Sequence, residues 1–191
     1  MDFMEKVKGF LLEPSRTFHY SREDSLVNAL KYYLILVLFY SVLEILVRIF
    51  FGEMIVSLMA EYAMISGDMG IREIIMNSLS DVVYAIPGLF IIGAFLHIGV
   101  YMSGGKNGLN QTIKALVYSS TPSLLFGWIP VINVIAGSWS LILNIMGIRE
   151  FQEISTVRAL MAMVVPFILL LLLEAIFIGA IFLPGVRIPL R

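Results

Sequence analysis

The sequence predicts an all-α, polytopic membrane protein: a bundle of about five transmembrane helices preceded by an N-terminal interfacial helix. Composition is the first reason. Hydrophobic residues make up 59% of the 191 positions and charged residues 14%, with a mean hydropathy of +0.92, well outside the usage of soluble globular domains. The second reason is length, since several apolar runs are long enough to cross roughly 30 Å of hydrocarbon at about 1.5 Å per residue. The third is charge: most Asp, Glu, Lys and Arg residues fall outside these runs.

The same composition excludes other classes. A formal net charge of -1 provides no basic field for a phosphate backbone, so nucleic acid is not an expected partner. Cysteine is absent, which removes disulfides, thiolate metal sites and cysteine nucleophiles and leaves the redox compartment open. The first residues lack the short apolar core and cleavage site of a signal peptide. The first span is therefore expected to double as the targeting signal.

Residues 1–25 form a cytoplasmic segment. Within it, residues 3–12 place Phe3, Met4, Val7, Phe10 and Leu11 on one helical face, with Lys6 and Lys8 elsewhere, until Pro14 stops the pattern. The run is too short to span. Its expected place is the interface, with its lysines toward anionic headgroups; the alternative is a segment docked on the bundle. Residues 26–183 form the membrane domain. Span one, residues 26–51, contains Glu44 and Arg48. Residues 52–80 hold Glu53, Glu61, Asp68 and Glu73 against Arg72, with Gly67 and Gly70 breaking the pattern, and read as an external loop carrying one or two surface helices. Span two, residues 81–102, contains Pro87, Gly88, Gly93, His97 and Gly99. Such residues are tolerated in a membrane where neighbouring helices satisfy the freed backbone groups.

A tight cytoplasmic turn follows at Gly104, Gly105, Lys106, Asn107 and Gly108. It lacks the spacing of a nucleotide-binding loop and the Ser or Thr that should follow its lysine. Spans three (residues 109–128) and four (131–148) form a hairpin around the Gly127-Trp128-Ile129-Pro130 corner, where Trp128 suits the membrane interface. A polar connection, residues 149–156, leads to a fifth span at 157–183. Pro166 should kink that span or mark the point where an interfacial turn becomes a crossing. Residues 184–191 make a short external tail.

Lysine and arginine set the orientation. Lys6, Lys8, Arg16, Arg22, Lys31, Lys106, Lys114, Arg149 and Arg158 fall on one side, leaving Arg48, Arg72, Arg187 and Arg191 on the other. The N-terminus is thus expected in the cytoplasm and the C-terminus outside, with the chain in the cell membrane.

Two sets of intramembrane polar residues need an explanation. In span four, Asn133, Gly137, Ser140, Asn144 and Gly147 recur at steps of four and three and share one stripe. Small residues let backbones approach and polar ones need partners, so the stripe is expected to be a helix-packing seam. A binding cavity or polar pathway is the other reading. In span three, Pro122 frees the carbonyl of Tyr118, and the hydroxyls of Ser119, Ser120 and Thr121 are available to compensate. The second set is charged. Glu44 and Arg48 lie four apart on one face, and Glu174 lies at a similar depth in span five. A Glu44, Arg48 and Glu174 cluster in the outer half of the bilayer is expected to lock the two spans together; a proton or substrate site is the alternative.

Nothing assigns catalysis. His19 and His97 are isolated and do not make a metal site. Ser103 follows His97 by six residues, which does not fit the one-face spacing that a base and nucleophile on one helix require. No cofactor is implied.

Several pieces in order carry a resemblance: Glu13-Pro14-Ser15-Arg16-Thr17-Phe18, Gly104-Gly105-Lys106 after span two, Tyr118-Ser119 through Pro122, and Trp139 with Gly147-Ile148-Arg149-Glu150. With them the chain resembles the Yip domain family, small five-span membrane proteins named for interaction with Ypt/Rab GTPases, from about Glu13 to Pro166. The resemblance implies a cytoplasmic N-terminus and a non-enzymatic role in trafficking, Rab recruitment and membrane shaping. The short cytoplasmic region here looks more like prokaryotic members and counts against direct binding of a Rab GTPase. The expected partners are the lipid bilayer and either a second copy of the chain or another membrane protein. A scaffold is therefore the leading expectation and a small-solute or ion transporter or channel the alternative. Dry packing of the buried polar groups would favour the first and a hydrated cavity the second.

Overall fold

A computed structural model describes the backbone at residues 1–59 and 70–182, and the side chains at 1–52, 70–168 and 171. All regular structure among the described residues is helical: α1 (Phe3–Leu12), α2 (Pro14–Ser21), α3 (Leu26–Met59), α4 (Ile71–Met102), α5 (Leu109–Ser119), α6 (Thr121–Phe126), α7 (Ile132–Gln152) and α8 (Thr156–Phe182). Three of them, over Leu26–Gly52, Ile71–Met102 and Ile132–Gln152, are long and apolar enough to cross a bilayer. In the described part of α8, Thr156–Ile168 is a shorter apolar helix.

The predicted third span, residues 109–128, is two helices. Pro122 has no N–H to give, and α5 ends at Ser119 before α6 restarts with Pro122 in its first turn. The hydroxyls compensate as the sequence suggests. Thr121 donates to the carbonyl of Tyr118 at 2.7 Å, Ser120 to that of Val117 at 2.7 Å, and Ser119 to that of Leu116 at 3.0 Å. The corner expected at Gly127-Trp128-Ile129-Pro130 separates α6 from α7, and Val131 caps α7 at a φ of 71°.

Other boundaries move. The predicted loop 52–80 is shorter, because α3 continues to Met59 and α4 already begins at Ile71; residues 60–69, with Glu61, Gly67 and Asp68, lie outside the described residues. Span four runs through the predicted polar connection to Gln152. Pro14 ends one helix and starts another: Glu13 closes α1, and Pro14 is the first residue of α2, a position where the missing N–H costs nothing. The two short helices turn tightly, since a Cβ on Gly9 would meet Thr17 Oγ1 at 2.3 Å.

The core sits toward the end that holds α1 and α2. There α5 packs on α3, α4 and α7, while α2 lies on α7 and α1 on α6. Phe10, Phe18, Ile113, Tyr118, Leu143, Ile148 and Phe151 are fully enclosed. Among the described residues, α8 packs on α4 and α7. At the α4–α8 contact a Cβ on Gly99 would meet the Ala162 carbonyl oxygen at 2.1 Å, so only glycine permits that approach.

Candidate functional site

The most elaborate polar arrangement joins the N-terminal segment to α5. Lys6, on the face of α1 that also carries Phe3, Val7 and Phe10, is buried rather than directed at headgroups. Its ammonium meets Asp24 Oδ2 at 2.5 Å, the two side chains being 11% and 21% exposed. Tyr118 donates its hydroxyl to the same carboxylate oxygen at 2.6 Å. Lys114, one turn earlier on α5, donates to the backbone carbonyls of Arg22 at 2.7 Å and Asp24 at 2.8 Å. Asp24 is thus held by one cation and one phenol, and its carbonyl by a second cation. Such ionic hydrogen bonds are stronger than neutral ones, and removing one partner strands the rest in a desolvated site.

Aromatic rings roof this knot. Phe10 stacks on Tyr118 with centroids 4.8 Å apart and meets Phe18 edge-on at 4.9 Å. Phe18 packs edge-on against Phe151 at 5.6 Å, and Lys114 lies 5.3 Å over the Phe151 ring. Tyr32 shares its hydroxyl hydrogen bond with Thr121 Oγ1 at 2.8 Å, which ties α3 to the break in α5–α6. Outside the core, His19 Nδ1 meets Glu150 Oε1 at 2.8 Å, and Arg22 pairs with Glu153. The Arg22 hydrogen bond and charge hold the Glu153 carboxyl below the usual carboxylate range.

The glycine turn is a second structural device. Gly104 and Gly108 take φ values of 92° and 82°, open to glycine without strain. Gln152 accepts the Asn107 N–H at 3.0 Å, and its amide nitrogen donates to the Gly108 carbonyl at 3.0 Å and to Thr112 at 2.9 Å. His97 Nδ1 reaches the same Thr112 hydroxyl at 2.8 Å. Gly105 is buried and Lys106 exposed.

The stripe on α7 divides along its length. Gly147 receives the Phe18 ring, whose Cε1 lies 2.8 Å from where a Cβ would stand, and Asn144 is buried with its Oδ1 unpartnered. Ser140 bonds Ser123 of α6, hydroxyl to hydroxyl at 2.7 Å and to its N–H at 3.2 Å. Further along, among the described residues no atom lies within 4 Å of a Cβ on Gly137, and Asn133 is exposed. The stripe is a seam over Ser140–Gly147 and an open face over Asn133–Gly137.

Glu44 and Arg48 do pair, with Arg48 Nη2 donating to Glu44 Oε1 at 2.6 Å and Nε donating to it at 3.1 Å. Tyr40 lies close enough to interact electrostatically with Glu44, Arg48 and Asp81. The side chain of Glu174 lies outside the described residues. Among the described residues, no three His, Asp or Glu side chains converge where they could hold a metal ion.

The sequence places Tyr118 in the seam and Lys6 and Lys114 on the cytoplasmic side, and offers no reason to single out Asp24. One signal was present: Lys114 and Tyr118 lie four apart on one helical face inside an apolar run, where a buried cation needs a partner.

A helical bundle with, among the described residues, three helices fit to cross a bilayer is the architecture of an integral membrane protein. The Yip1 domain family model matches residues 8–177, and the chain belongs to that family. No curated protein and no solved structure shows a significant match.

Proposed function

We propose that the chain is a non-catalytic membrane scaffold of the Yip type, acting in membrane organisation through helix packing and partner binding. The observation that carries this reading is how the polar groups of the α5–α7 region are used. Thr121, Ser123, Ser140 and Gln152 each hydrogen-bond protein atoms of the bundle, and Gly147 is filled by Phe18. Groups bonded this way hold helices together and are not displayed to a moving solute.

The topology that goes with it has five crossings. In it α5 and α6 make a broken third crossing, and α8, 27 residues long, makes the fifth. The glycine turn, the end of α7 and the start of α8 share the N-terminal end of the bundle, through Asn107–Gln152, Arg22–Glu153 and the approach of Gly104 to Arg158. Gathering the basic segments at one end favours a cytoplasmic N-terminus and an external C-terminus in the cell membrane. The helix α1 keeps Met4, Lys8 and Leu12 outward, which suits a position at the cytoplasmic surface of the bilayer even though Lys6 turns inward. Partners are then lipid and either a second copy or another membrane protein. A Rab GTPase finds little free surface, because one face of each N-terminal helix is spent on the bundle.

A small-solute or ion transporter has one observation in its favour, the half-buried Glu44–Arg48 pair with Tyr40 nearby. Proteoliposome flux measurements on the parent, Glu44→Gln and Glu174→Gln separate the two readings. The scaffold reading expects all three to match protein-free vesicles for protons, alkali cations and small anions. A flux present in the parent and lost in Glu44→Gln would overturn it.

A further inference from the structure

At the end of the α4–α8 contact, beyond Gly99, lies an open groove of about 560 Å³ lined by Met102, Ser103, Gly104, Arg158, Met161 and Val165. Its chemistry is divided. Met102, Met161 and Val165 form an apolar wall on the membrane side, where the apolar run of α4 ends and that of α8 begins. Arg158 and Ser103 stand at the rim. Arg158 is exposed, and among the described residues its guanidinium has no ion-pair partner, unlike Arg16, Arg22 and Arg48 at their carboxylates. The Ser103 hydroxyl likewise has no hydrogen-bond partner among the described residues. No acidic residue lines the groove.

We infer that this groove holds one anionic phospholipid, with its phosphate on Arg158 and Ser103 and the first part of an acyl chain along Met102, Met161 and Val165. A guanidinium presents a planar fork of donors that matches two phosphate oxygens, and Ser103 adds a hydroxyl donor. The wall gives the site its preference for a lipid over free phosphate, because burying methylenes adds to binding only when the ligand carries them. The lack of a carboxylate removes the counter-charge that the ammonium group of a zwitterionic headgroup would need. Basic pockets between helices at this level of a membrane are suited to such headgroups. The inference needs only the membrane setting and does not depend on the scaffold role.

The test uses the full chain purified in detergent. Native mass spectrometry would read retention of short-chain phosphatidylglycerol against short-chain phosphatidylcholine and inorganic phosphate. One phosphatidylglycerol is expected to be retained several-fold better than phosphatidylcholine, and inorganic phosphate at the same concentration should not displace it. Arg158→Gln should weaken retention about tenfold or more, the loss expected for an ionic hydrogen bond. Arg158→Lys should fall between the two. Met161→Glu keeps the arginine and places a carboxylate one turn away, so it should also cost about tenfold. Lys31→Gln removes an exposed cation elsewhere and should leave retention unchanged. Helical circular dichroism identifies the folded variants to be compared. Equal retention by Arg158→Gln and the parent, an equal loss in Lys31→Gln, or displacement by inorganic phosphate would each overturn the assignment.

Discussion

Near the N-terminal helices, the α7 stripe meets Phe18 so closely that Gly147 has no room for a methyl group; three turns away on the same stripe, Gly137 faces open space. The first end is built from long-range contacts: enclosed rings, a carboxylate shared by Lys6 and Tyr118, and a glutamine that staples the Gly104–Gly108 turn. Among the described residues, the opposite end shows local contacts, such as the Glu44–Arg48 pair within a single helix. Among the described residues, long-range contacts are therefore concentrated at one end. Regions with few buried contacts open at lower free-energy cost than the core.

Five measurements would break or sharpen this contrast, using thermal unfolding in detergent. Asp24→Ala should have the largest effect, about 3 kcal/mol, because it leaves Lys6 and the Tyr118 hydroxyl without their shared acceptor. A loss below about 1 kcal/mol would mean that the knot is solvated. Gly99→Ala should cost about 1–3 kcal/mol, since the new methyl meets backbone rather than a movable side chain. Gly137→Ala should be neutral or stabilising by up to about 1 kcal/mol through helix propensity. Equal losses at the two glycines would erase the contrast between the ends.

A double-mutant cycle on Ser123→Ala and Ser140→Ala should give a coupling of about 0.6 kcal/mol, ordinary for a hydroxyl pair between helices in a membrane protein. The smallest effect belongs to Glu153. Its carboxyl is held below the ordinary range by Arg22, so its contribution is fully present above the unfolded value of about 4.3. That contribution disappears as pH falls through the lower, folded value. Glu153→Gln should therefore flatten part of the stability loss between about pH 5 and 3 and change little at neutral pH.

Much of the helical layout was legible in the sequence, because apolar run length and proline position act locally. The break at Pro122 and the hydroxyls that repair it could be placed from a few adjacent residues, and Glu44–Arg48 from the helical repeat. Pro14 was half legible: its ring stops a helix, but it also suits the first turn of another, and only tertiary packing chose the second. Asp24 was not legible, since its partners lie 18 residues away at Lys6 and 94 away at Tyr118, and no local pattern pairs them. The seam along α7 was legible as a stripe, but where it is covered depends on Phe18, which belongs to a helix that the sequence reading did not assign.

The position of Phe18 also sets an order of assembly. Its neighbours Gly147 and Phe151 lie near Glu150 and Glu153, which pair with His19 and Arg22 across 131 positions. At about 5–20 residues per second, a ribosome needs roughly 7–26 seconds to make that intervening chain. For that interval Phe18 and the rest of α2 lack their seat on α7. Any factor that binds them during synthesis acts on a surface that the finished protein no longer shows, and the closing of Phe18 onto Gly147 marks the end of that window.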